Sequence, residues 1–172
     1  AAVVVATVRA LKHHGGVAKA DLNNENLEAL EKGLPNLLQH VENITKVFGL
    51  PCVVAINRFP LDTEAELALI EKRCRELGVN VALSEVWAKG GEGGVELAKE
   101  VLRLCEEENH FSYCYEDALG IEEKLNAIVT RVYHGDGVEL TDMAKKQAKR
   151  LESLGFSGMP IRMAKTQYSF SD

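Results

Sequence analysis

The stretch P-C-V-V-A-I-N-R-F-P-L-D-T-E-A-E, Pro51 to Glu66, decides the fold class. Cys52 to Ile56 is a short continuous apolar run rich in β-branched residues, the pattern of a buried strand in a parallel sheet. Asn57 to Asp62 is a loop. Thr63 and Glu66 then have the spacing of a capping box, in which each side chain satisfies an otherwise orphan backbone N–H at a helix start. The helix is predicted from Thr63 to Leu77, and Gly78 ends it. Strand, loop and capped helix in immediate succession form one βα unit.

Working upstream, Asn23 to Phe48 places Leu27, Leu30, Leu34, Leu37, Leu38, Val41, Ile44 and Val47 at helical spacings. Gly33-Leu34-Pro35 predicts a kink or break in that helix, and Gly49 suits its C-terminal cap. Arg9 to Asp21, with His13-His14-Gly15-Gly16, is predicted to be a loop. Ala1 to Val8 (A-A-V-V-V-A-T-V) has the signature of a central parallel strand. Downstream, Val79 to Leu83 is a third strand, Ser84 to Gly94 a glycine-rich loop, and Val95 to about Cys105 a helix. Residues 1–108 therefore alternate strand and helix, which argues an α/β fold: a parallel sheet with flanking helices on both faces. A polar junction, Glu106 to Asn109, leads to a small helical subdomain, 109–158, with helices at Ile121–Val132 and Thr141–Leu154. Residues 159–172 are expected to be a returning strand, Ile161 to Ala164, and a polar loop. Both ends read as cut from something longer.

Composition narrows the class. The chain has 172 residues, 46% hydrophobic and 27% charged, enough for a real core. Its net charge of −6 disfavours nonspecific nucleic-acid binding. The densest basic cluster, Lys145-Lys146 with Lys149-Arg150, is most simply a solvated helix face. Cys52, Cys74, Cys105 and Cys114 form no C-x-x-C pair, which suits reduced thiols in a cytoplasmic protein. No apolar stretch is long enough to span a membrane, and no basic n-region marks a signal peptide.

Ligands of open α/β sheets bind outside the carboxyl ends of the strands. That rule selects Arg9–Gly16, Asn57–Asp62 and Ser84–Gly94. The Asn57 carboxamide offers a donor and an acceptor in one plane, as reading a purine edge requires, but by residue type it more simply caps the strand turn. Phe59, in the same loop, is by residue type more simply a core side chain. Trp87, the single Trp, lies in the glycine-rich loop. It can stack on a flat ligand or plug the sheet edge, and residue type does not choose between these. Lys165 to Asp172 is polar enough to line a pocket. No G-x-x-x-x-G-K-[ST] phosphate cradle occurs, and adjacent His13 and His14 do not make a metal site.

Four strings together resemble the formate–tetrahydrofolate ligase (10-formyltetrahydrofolate synthetase) family: A-T-V-R-A-L-K-H-H-G-G-V (6–17), V-V-A-I-N-R-F-P-L-D-T-E-A-E (53–66), L-S-E-V-W-A-K-G-G-E-G-G (83–94) and M-A-K-T-Q-Y-S-F-S-D (163–172). The likeness covers essentially all 172 residues. It implies part of a P-loop NTPase-like domain and an enzyme that joins formate to tetrahydrofolate with ATP, through formyl phosphate. The resemblance also implies that Mg²⁺ and a monovalent cation assist and that the parent is a homo-oligomer. The resemblance implies that Phe59 and Trp87 hold the pterin ring, and that Asn57, Leu83, Ser84 and Glu85 surround the adenine. The family's P-loop and its formyl-phosphate arginine lie upstream of the matching segment. The expectation is thus a ligase fragment, inactive alone, with no catalytic residue of its own. The rival reading is a non-catalytic nucleotide- or folate-binding module, or a structural fragment.

Overall fold

Three parallel strands, β1 (Ala2–Ala6), β2 (Cys52–Asn57) and β3 (Asn80–Ser84), form one sheet in the order β1-β2-β3. They belong to a computed structural model that describes residues 1–163 and 170. The chain divides into two units, Ala1–Phe111 and Ser112–Asp172.

In the first unit the sheet alternates with α1 (Val8–His14), α2 (Leu27–Glu42), α3 (Glu64–Glu76), the short α4 (Val86–Lys89) and α5 (Val95–Cys105). The capping box at α3 forms as expected: Thr63 Oγ1 accepts the Glu66 N–H and Glu66 Oε2 accepts the Thr63 N–H, both at 3.2 Å. Both sheet faces carry helices. On one, Val54 and Ile56 pack with Val8 and Leu11 of α1, Leu30, Leu34, Leu37 and Val41 of α2, and Leu67, Ile70 and Cys74 of α3. On the other, α5 covers Val53 and Ala82 through Leu97, Val101 and Leu104. Each fully buried Val, Leu or Ile contributes about 1.5–3 kcal/mol relative to exposure, so β2 is the anchor of the unit.

The structure corrects three expectations here. The central strand is β2, not the first one. β1 pairs only with β2 among the described residues, and its Val3 and Val5 are exposed on the face that α5 leaves bare. Arg9 to His14 is helix, not loop, because Thr7 caps it by accepting the Ala10 N–H at 3.2 Å. α2 runs unbroken through Pro35. Proline removes one i→i−4 bond there, but the buried Leu30, Leu34, Leu37 and Val41 seam holds both halves against one core. The predicted helical run ends in a π-helical turn at Asn43–Val47.

Glycines set the approach of α1 to α2. A Cβ on Gly33 would lie 1.8 Å from the Leu11 carbonyl oxygen, and one on Gly15 would lie 1.8 Å from that of Ala29. The two backbones touch directly.

The second unit holds α6 (Ile121–Val132) and α7 (Asp142–Ser153), the latter capped by Thr141. Lys145, Lys146, Lys149 and Arg150 are exposed, as the sequence suggests. Lys124 is fully buried and donates to the Ser157 and Met159 carbonyls at 2.7 and 3.1 Å, with its ammonium 5.8 Å from the Tyr115 ring centre. The expected strand is absent at Ile161–Met163. Instead, the Tyr115 hydroxyl takes both main-chain groups of Ile161: it accepts the N–H at 2.7 Å and donates to the carbonyl at 3.0 Å. Ala164 and the polar segment from Lys165 lie outside the described residues, Phe170 excepted.

Candidate functional site

The carboxyl ends of β2 and β3 lie side by side. Asn57 is in register with Ser84, Ile56 with Leu83, and the Arg58 N–H donates to the Ser84 carbonyl at 3.0 Å. Two of the three loops chosen from the sequence, Asn57–Asp62 and Ser84–Gly94, therefore share one sheet edge, as expected. Asn57, Leu83, Ser84 and Glu85 are all half-buried there. The Asn57 carboxamide takes no hydrogen-bond partner among the described residues, so its donor and acceptor are unused.

Phe59 is half-buried and sits in a turn closed twice: its N–H donates to Asp62 Oδ2 at 2.8 Å, and the Asp62 N–H donates to its carbonyl at 3.0 Å. Trp87 lies on α4 and is 76% exposed. Leaving an indole of this size in water forgoes much of its burial energy, of the order of 2 kcal/mol. Neither ring is a core plug.

Glycine chemistry shapes the Trp87 loop. The Glu85 N–H donates to the Gly93 carbonyl at 3.0 Å, and a Cβ on Gly93 would come within 2.4 Å of the Glu85 oxygen. Gly90 has φ +60° and ψ −146°, a conformation closed to L side chains.

Charge ties the two loops. Arg58 pairs with Glu64 at 2.5 Å and reaches Glu85 at 3.7 Å, while Lys89 pairs with Glu85 at 2.5 Å. The Lys89 hydrogen bond is the main reason the Glu85 carboxyl sits below the usual carboxylate range. An open groove of about 460 Å³ runs along β3, lined by Leu83, Glu85, Lys89 and Gly93 among others, but by neither Phe59 nor Trp87.

With this geometry in hand, the sequence model of one family, formate–tetrahydrofolate ligase, matches residues 1–172. The chain belongs to the formate–tetrahydrofolate ligase family. That family comprises ligases of one-carbon metabolism acting on formate and tetrahydrofolate. The α/β sheet with flanking helices agrees with membership.

Sequence reasoning missed Asp62 and Lys12 of this family member. Asp62 is 6% exposed and holds the Phe59 turn; Lys12 is 1% exposed and pairs with Glu66 at 2.8 Å. The aspartate three residues after Phe59 was the available signal, since such side chains commonly bond a nearby main-chain N–H. The third selected loop, Arg9–Gly16, is mostly α1, and its Gly15 serves helix packing. Among the described residues no group of three His, Cys, Asp or Glu side chains could hold a metal, and no helix is long and apolar enough to cross a membrane.

Proposed function

We propose that these residues are the folate- and adenine-facing part of an ATP-dependent ligase that makes 10-formyltetrahydrofolate. In that reaction a formate oxygen attacks the terminal phosphorus of ATP and ADP leaves. The tetrahydrofolate amine then attacks the carbonyl of formyl phosphate, and phosphate leaves. Catalysis of such transfers is mostly positioning and charge stabilisation. No phosphate cradle occurs in this sequence, so these residues are assigned binding and no phosphoryl chemistry. Neither Mg²⁺ nor a monovalent cation is assigned to a residue of this chain, whose described residues hold no group of three His, Cys, Asp or Glu side chains that could bind a metal.

The observation that carries the reading is the exposed Trp87 on α4, the helix that follows β3, at the same sheet edge as the Phe59 turn that follows β2. Adjacent parallel strands are about 4.8 Å apart. Side chains rising from neighbouring loops can thus take a flat heterocycle between them, at about 3.5 Å to each ring. In this reading Asn57, Leu83, Ser84 and Glu85, half-buried at the ends of the same two strands, take the purine edge.

Trp87→Ala in the intact ligase tests this. Tetrahydrofolate binding should weaken by about 1–3 kcal/mol, by analogy with base stacking, while ATP binding is unchanged. Equal losses for both ligands would instead mean that the loop had collapsed.

A further inference from the structure

Three charged side chains beneath the Phe59 turn are buried and unused by the reading above. Lys12 Nζ pairs with Glu66 Oε1 at 2.8 Å and donates to the Asn24 carbonyl at 2.9 Å. Glu66 also accepts the Asn26 N–H at 3.1 Å and the Thr63 N–H at 3.2 Å. Asp62 lies next to Thr63 and accepts the Phe59 N–H. Burial alone would push the Glu66 carboxyl up, but its hydrogen bonds from Lys12, Asn26 and Thr63, with the Lys12 charge, hold it below the usual range. Asp62 is pushed up by burial and by the Glu66 charge, and is partly relieved by the Phe59 N–H, Lys12 and Arg58.

Such a cluster is costly to bury and is tolerated only when each group is satisfied. The α3 cap does not need Asp62, because Thr63 and Glu66 already complete it. What the Asp62 side chain adds is a carboxylate on the Phe59 N–H, a second tie on the residue bearing the ring beside the Asp62 N–H on the Phe59 carbonyl. We propose that Asp62, backed by the buried Lys12–Glu66 pair, is a positioning residue that sets the Phe59 ring for tetrahydrofolate. This rests on the reading of Phe59 as folate-facing.

The test is steady-state kinetics of the intact ligase carrying Asp62→Ala, Asp62→Asn or Phe59→Ala. Asp62→Ala should raise the KM for tetrahydrofolate about tenfold, the effect of losing one part-buried hydrogen bond to a carboxylate, with kcat and the KM for ATP unchanged. Asp62→Asn should recover most of this, since its amide oxygen can accept the same N–H. Failure of Asn to recover, or equal rises for ATP and tetrahydrofolate, overturns the proposal. If Phe59→Ala raises the KM for tetrahydrofolate while Asp62→Ala does not, the positioning role is lost and the folate reading stands. If Phe59→Ala changes nothing, both are lost. Should Asp62→Ala prove insoluble, Lys12→Met combined with Glu66→Gln removes the charged backing and keeps the cap. The same selective rise supports the proposal, and its absence overturns it.

Discussion

Glu100 on α5 shows how a single side chain can carry a pH dependence. Hydrogen bonds from Arg103 first, then from Asn80 at 2.7 Å, hold its carboxyl down to about 2, from an ordinary 4.5. A depressed acid stabilises the fold above its unfolded value and loses that contribution as pH falls through its folded value. Arg103 is half exposed, so solvent screening limits the effect to about 1 kcal/mol or less. Glu100→Gln should therefore lower stability at pH 7 by up to that amount, and the gap to the parent should close between pH 4.5 and about 2. Urea unfolding across that range checks it; a gap that persists at the acid end contradicts the assigned cause. Phe59 and Trp87 are legible at this scale only as residue types. Whether an aromatic is core or rim depends on what surrounds it.

Among the elements, the α1–α2 contact is the most demanding. Gly33→Ala should gain nearly 1 kcal/mol of helix propensity. Against that, its Cβ would sit 1.8 Å from the Leu11 oxygen, and backbone cannot swing away as a side chain can. Overpacking of this kind costs about 3 kcal/mol, so destabilisation wins. The urea midpoint should fall with an unchanged m-value; a rise would mean that the helices do not touch there. α3 was readable to its cap because a capping box is local chemistry. α1 was not, since Thr7 as a cap lay hidden at the end of an apolar run, and the glycines after His14 suggested a loop.

At the level of the whole molecule, β1 leaves Val3 41% and Val5 66% exposed beside an edge with no strand partner among the described residues. Open edges with apolar side chains invite pairing with another chain. The 172-residue chain should thus self-associate with rising concentration, and Val5→Lys should reduce that. Sedimentation velocity decides it: association unaffected by Val5→Lys would place the sticky surface elsewhere.

Taken alone, the sequence determined the α/β class, the parallel sheet, the α3 cap, both helices of the second unit and the family. These follow from periodicity, capping and motif strings, all of which act over a few neighbouring residues. Only the tertiary structure decided that β2 and not β1 is central, that α2 survives Pro35, and that Ile161 bonds Tyr115 rather than a strand. It alone showed Asp62 and Lys12 buried beneath the Phe59 turn, where Lys12 meets Glu66 across 54 residues of chain (66 − 12). Burial and charge pairing depend on what distant segments bring to one place, and no local pattern encodes that.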